Sequence, residues 1–232
     1  MNGYPYSPSQ LGVRPAPALV QQLLVGAFGW MFAGLLLTAG VAFLVESNEG
    51  LLRGVGSIWL LVVFCQLFLA LGIQGAIRRA SPTLSLAMFF VYAASMGLTI
   101  GLIVSMYSGA TVVAAFLSAS AMFGAAAVYG AVTKRSLAGL GGLAFMALIG
   151  ILVASVVNMF LASSPLGWII SIVGVVLFTA LTAYDVQRIT NGDYAAQTGS
   201  PERASILAAL HLYLNFINLF LFMLRLMGNS RN

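Results

Sequence analysis

Apolar residues run through this chain in long blocks and do not alternate with polar ones. Seven blocks are long enough to cross a bilayer, near 24–45, 58–77, 84–106, 111–132, 140–161, 166–186 and 204–226. A helix needs about 20 mostly apolar residues to span a ~30 Å hydrocarbon core at ~1.5 Å per residue. Barrel strands would alternate polar and apolar over about ten residues. The pattern therefore predicts an all-α integral membrane protein with seven transmembrane helices, occupying residues 23–228. Residues 190–205 collect Asn191, Gly192, Asp193, Gly199, Pro201 and Glu202 and are expected to form a loop. Ser200 is placed to cap the last helix, with Pro201 in its opening turn. Residues 1–22, with Tyr4, Pro5, Pro8, Pro15 and Pro17, are expected to be a disordered cytoplasmic tail, and 229–232 a short C-terminal one. No basic stretch precedes a short apolar run with a cleavage site, so the first block is read as an uncleaved anchor.

Composition sharpens this. Of 232 residues, 61% are hydrophobic and 6% charged, where a soluble domain carries roughly 25% charged residues. That balance excludes an ordinary soluble enzyme and a disordered chain. The ten cations are scattered, so a nucleic-acid partner is not expected and membrane lipid is. Lys and Arg accumulate on cytoplasmic loops. Arg14, Arg78, Arg79, Lys134, Arg135, Arg188 and Arg203 fall on one side, and Arg53, Arg225 and Arg231 on the other. Seven against three predicts a cytoplasmic N-terminus and an external C-terminus. Cys65 lies alone inside the second block and is expected to pack there.

The polar residues inside the blocks carry the chemistry, because an unsatisfied polar group in lipid costs several kcal/mol. At ~100° per residue, His211, Asn215, Asn218 and Arg225 share one face of the last helix. Such a stripe either holds the bundle together by interhelical hydrogen bonds or lines a functional path. Arg225, near the helix end, is expected to snorkel to the interface. On the sixth helix Ser171, Thr182 and Asp185 share a face. Asp185 is either an interfacial carboxylate neutralised by Arg188 at i+3, or turned inward to the polar stripe at the depth of His211 and Asn215. Gln66 on the second helix needs partners for its amide; Tyr92, Ser95 and Thr99 share a face of the third. Gly97 and Gly101 form a small-xxx-small pair suited to close packing. No HExxH, GxSxG or Walker-type motif is present, and one His with one Cys cannot build a metal cage, although a mixed site with Asp185 stays open. The single lysine, Lys134, lies in a loop, so a retinal Schiff base in the last helix is excluded. No enzyme activity and no bound cofactor are expected.

Phe178-Thr-Ala-Leu-Thr-Ala-Tyr-Asp185-Val-Gln-Arg-Ile189, with Leu212-Tyr-Leu-Asn-Phe-Ile-Asn-Leu-Phe220 and Leu224-Arg225, resembles the Bax inhibitor 1 family, and Tyr129-Gly-Ala-Val-Thr-Lys-Arg135 is similar to another stretch of it. The short proline-rich tail points to a bacterial inner-membrane member. The resemblance implies a last helix central within six others and a pH-sensitive calcium leak across the membrane. It implies two aspartates, on helices six and seven, that share a proton and hold the pore shut, with an arginine latch near the inner end of helix two. Asp185 matches the first aspartate, and Arg78 or Arg79 the latch. The second aspartate is replaced by Asn215. Two adjacent carboxylates titrate as a coupled pair, and an Asp–Asn pair cannot. Asn215 still has an amide to donate to Asp185, with Asn218, Gln66 and Arg188 as supporting polar groups. His211, one turn earlier, is a candidate replacement for the titrating partner.

Two functions from different classes follow. The first is a calcium leak pathway gated at Asp185, with calcium as transported ion and Asp185 as its oxygen contact. Its pH response is altered by Asn215. The second is a non-conducting regulator that docks with membrane proteases or stress complexes. Proton-coupled solute transport is weaker, since no inverted repeat or paired broken helices are visible.

Overall fold

The computed structural model describes residues 15–79 and 81–228, with the side chains of 71, 74 and 76–79 outside that description. Among the described residues the chain is helical and has no β-strand. Its helices are α1 (Pro17–Glu46), α2 (Glu49–Ser57), α3 (Trp59–Arg79), α4 (Pro82–Val104), α5 (Gly109–Val132), α6 (Ala138–Leu161), α7 (Ser164–Thr190), α8 (Asp193–Thr198) and α9 (Pro201–Met227). Six of them, α1, α4, α5, α6, α7 and α9, are each long and apolar enough to cross a membrane. A seventh span results if α2 and the start of α3 count as one segment, bent by 72°. This is a multi-pass, all-α membrane protein.

Four local features depart from expectation. First, α1 begins at Pro17, so residues 17–22, assigned above to the tail, are helical; residues 1–14 and 229–232 lie outside the described residues. Proline at a first helical position loses nothing, because its missing N–H would have had no partner. Second, the first connection contains α2. Asn48 caps it, its Oδ1 accepting from Gly50 N at 2.9 Å and Leu51 N at 3.1 Å. Third, the loop expected over 190–205 contains α8, bounded by Gly192 and Gly199 at φ 74° and 68°. Glycine takes that left-handed conformation without a Cβ clash. Cys65 is exposed, so it does not pack inside the chain as expected.

The chain divides into two compact units. Among the described residues, one holds 15–108 and 189–213, and the other 109–188 and 214–228. Both α7 and α9 contribute to each. In the first unit α4 lies close against α1, as the small-xxx-small pair predicts. A Cβ on Gly97 would meet Val41 Cβ at 2.6 Å and the Thr38 carbonyl at 2.8 Å; one on Gly101 would meet the Ala42 carbonyl at 2.7 Å. Thr38, buried in that contact, donates to the Ala93 carbonyl at 2.8 Å and shares a 2.7 Å hydrogen bond with the Tyr213 hydroxyl of α9. Phe89 and Tyr92 meet the Tyr213 ring edge-on at 5.5 and 6.1 Å. In the second unit the later half of α9 packs by aromatic rings. Phe216 meets Phe116 and Phe123 of α5, and Phe222 stacks on Phe178 of α7. Of the six spans α9 is the most buried, at 67% of its span window.

Gly97→Ala is expected to destabilise the protein by about 1–3 kcal/mol, because the added methyl drives α4 off a packed backbone. Gly29→Ala is the control, since nothing lies within 4 Å of its Cβ position. Thermal unfolding in detergent checks this; equal midpoints for the two variants would contradict the close α1–α4 contact.

Candidate functional site

The sequence placed Asp185 two ways, and the geometry contains both contacts. Its residue is 5% exposed, on the inner face of α7. Asn215 Nδ2, on the second-unit half of α9, donates to Asp185 Oδ2 at 2.8 Å. The other oxygen, Oδ1, faces Arg188 Nη1 at 3.9 Å, an ion pair one turn along α7 that is too long for a hydrogen bond. Arg188 also lies over the Tyr184 ring at 5.6 Å. The carboxylate therefore meets an amide donor on one oxygen and a guanidinium on the other. A charge-assisted hydrogen bond of this kind is worth roughly 1.5–3 kcal/mol, and stranding one buried partner costs at least as much.

Close packing brings this part of α7 into place. A Cβ on Gly130 of α5 would collide with the Ala183 carbonyl, and one on Gly141 of α6 would meet the Tyr184 hydroxyl at 2.7 Å. Gln187, two residues beyond Asp185, holds the turn between α5 and α6. Its Nε2 donates to the Arg135 carbonyl at 2.8 Å, and its Oε1 accepts from Leu137 N at 2.8 Å. Sequence reasoning missed Gln187. Its only signal was its place inside the Asp185-to-Ile189 stretch, and the 129–135 stretch turns out to be what it binds.

The polar residues of the α9 stripe make the following hydrogen bonds among the described residues. Asn215 binds Asp185. His211 Nδ1 instead shares a 2.7 Å hydrogen bond with the hydroxyl of Tyr194, a fully buried residue of α8 in the other unit. Asn218 Nδ2 donates to the carbonyl of Leu214, one turn back on its own helix, at 2.8 Å. Arg225 is exposed, as a snorkelling side chain would be. Ser171 and Thr182 hydroxyls likewise donate to the Gly167 and Phe178 carbonyls of α7. Gln66 finds its partners on α4: Nε2 donates to the Ser95 carbonyl at 2.7 Å and to Thr99 Oγ1 at 2.9 Å. Ser95 and Thr99 carried their own signal in the sequence, but nothing there paired them with Gln66. Arg78 and Arg79, the candidate latch, end α3, and their side chains lie outside the described residues.

The chain is thus an all-α, multi-pass membrane protein with a buried Asp–Asn contact between its last two long helices. Residues 20–232 match the family described as Inhibitor of apoptosis-promoting Bax1, and the chain belongs to that Bax inhibitor family. It is 39% identical to Inner membrane protein YbhL of Escherichia coli (strain K12) over 237 residues, covering 100% of each chain. An uncharacterized protein of Deinococcus radiodurans is 43% identical over 214 residues, covering 92% of each. One of Borreliella burgdorferi is 38% identical over 216 residues, covering 91% of this chain and 93% of its own.

Gln187→Leu strands the Leu137 N–H and the Arg135 carbonyl, which costs about 1–3 kcal/mol locally. Lys134 and Arg135 are exposed, so trypsin is expected to cut this turn several-fold faster in the variant. An unchanged cleavage rate would show that Gln187 does not hold the turn.

Proposed function

We propose that this protein is a calcium-permeable leak pathway of the bacterial inner membrane, held shut by the contact between Asp185 and Asn215. The observation that carries the reading is the buried 2.8 Å hydrogen bond between α7 and the later half of α9. A buried carboxylate met by an amide fixes two long helices to one another, and oxygen is the ligand type calcium prefers. Because position 215 is Asn, this pair cannot share a proton as two carboxylates do, so the gate responds weakly to pH.

The test is calcium flux into liposomes holding purified protein, followed against pH. Removing a charge-assisted hydrogen bond shifts a closed–open balance by about tenfold, so Asp185→Ala is expected to raise the leak by roughly that factor. Asn215→Asp is expected to install a steep acid response that the wild type lacks. If flux ignores Asp185 altogether, the reading as a non-conducting regulator of membrane proteases or stress complexes takes its place. A steep acid response already present in the wild type, and unaffected by His211→Ala, would overturn the account of Asn215.

The charge bias sets the N-terminus in the cytoplasm. If the bent α2–α3 pair crosses once, the chain has seven spans and an external C-terminus. A C-terminal phosphatase fusion is expected to be active and the matching fluorescent fusion dark. The reverse pattern would mean that the bent pair re-enters on the side it left.

A further inference from the structure

Arg225 is the cation in the last turn of the last long helix, and its guanidinium has a defined seat. It lies over Gly167, in the first turn of α7, where a Cβ would meet Arg225 Nη2 at 2.5 Å and Asn158 Nδ2 at 3.2 Å. The absence of a side chain at 167 is what lets both groups rest on the backbone there. Asn158 is 7% exposed, near the end of α6. Its orientation is fixed, because Oδ1 accepts the Ser163 backbone N–H at 3.1 Å, which leaves Nδ2 as the end that faces Arg225. Among the described residues, neither Arg225 nor Asn158 Nδ2 makes a hydrogen bond or ion pair, and no carboxylate pairs with the guanidinium.

The seat is thus lined by donors with no acceptor between them. It lies beside the N-terminal turn of α7, whose backbone dipole adds positive potential, although the adjoining C-terminal end of α6 offsets part of it. Solvation alone serves an arginine at a helix end, but it does not call for a second, buried and oriented donor or for a bare backbone beneath. Phe160, Leu161 and Trp168 around this turn are 79, 63 and 59% exposed, an apolar rim suited to acyl chains.

We propose that Arg225 and Asn158 form a binding site for a phosphate group, and that the phosphate is that of an anionic phospholipid headgroup. Guanidinium matches phosphate in a two-pronged geometry, and the Asn158 amide supplies a third donor from the neighbouring helix. A lipid bound there ties the end of α9 to the α6–α7 turn. The site stands apart from Asp185 and does not depend on the leak reading.

The probe is phosphatidylglycerol added to delipidated protein in neutral detergent, with phosphatidylcholine and inorganic phosphate as parallel arms. Native mass spectrometry reads retained lipid, and thermal unfolding reads stabilisation. The wild type is expected to retain phosphatidylglycerol, and Arg225→Gln to weaken that binding by roughly tenfold. Gly167→Ala leaves every donor in place but pushes the flexible guanidinium off its seat, so it is expected to weaken binding by several-fold. Asn158 is not the variant of choice, since it also holds the turn. Stabilisation by inorganic phosphate that depends on Arg225, without preference for phosphatidylglycerol, would overturn the lipid assignment in favour of a free anion. Equal lipid retention by the wild type, Arg225→Gln and Gly167→Ala would overturn the site itself.

Discussion

A carboxylate enclosed by apolar helices must be met by donors, and this requirement organises the second half of the chain. Asp185 is nearly closed off from its surroundings, and Asn215 and Arg188 face its two oxygens. Satisfying it requires α7 to present one side to α9 and to hold that side in register. The bare approaches at Gly130 and Gly141 let α5 and α6 come close enough to fix α7. Gln187 then ties the α5–α6 turn to the same helix. The 129–135 and 178–189 stretches, together with Asn215, therefore meet in one contact region, in which small residues supply approach and polar ones supply partners.

Elsewhere the same requirement is met more cheaply. Ser171, Thr182 and Asn218 return hydrogen bonds to their own helices, which satisfies them and links nothing. Gln66 instead reaches across to a backbone carbonyl and a hydroxyl of α4, and Thr38 to a carbonyl of α4 and the Tyr213 hydroxyl of α9. Two kinds of intramembrane polar residue result. Those that bond along a helix leave packing to shape, and those that bond across helices fix register.

Hydropathy made the long helices legible, because a bilayer forces each crossing to be a continuous apolar run. Short helices escaped it. The nine residues of α2 carry Glu49 and Arg53 on one face and read as a loop, and the six of α8 sit between two glycines that read as turns. The start of α1 was hidden by Pro17, a breaker in mid-helix and a good first residue. Angular bookkeeping found the stripe on α9 but not its partners, because residues on one face meet different neighbours. Asn215 and His211 are one turn apart, yet one bonds to α7 and the other to α8. Gln187 was illegible, since its partners are backbone groups and carry no residue-type signature.

On the leak reading proposed above, the Asp185–Asn215 bond acts as a unit that holds the pathway closed. A double-mutant cycle on calcium leak tests it most directly, with Asp185→Ala, Asn215→Ala and the pair reconstituted at equal density. Each single variant breaks the same bond, so the account predicts that both raise the leak and that the double variant leaks no more than the leakier single one. Increases that multiply in the double variant, or no increase in any of the three, would contradict it.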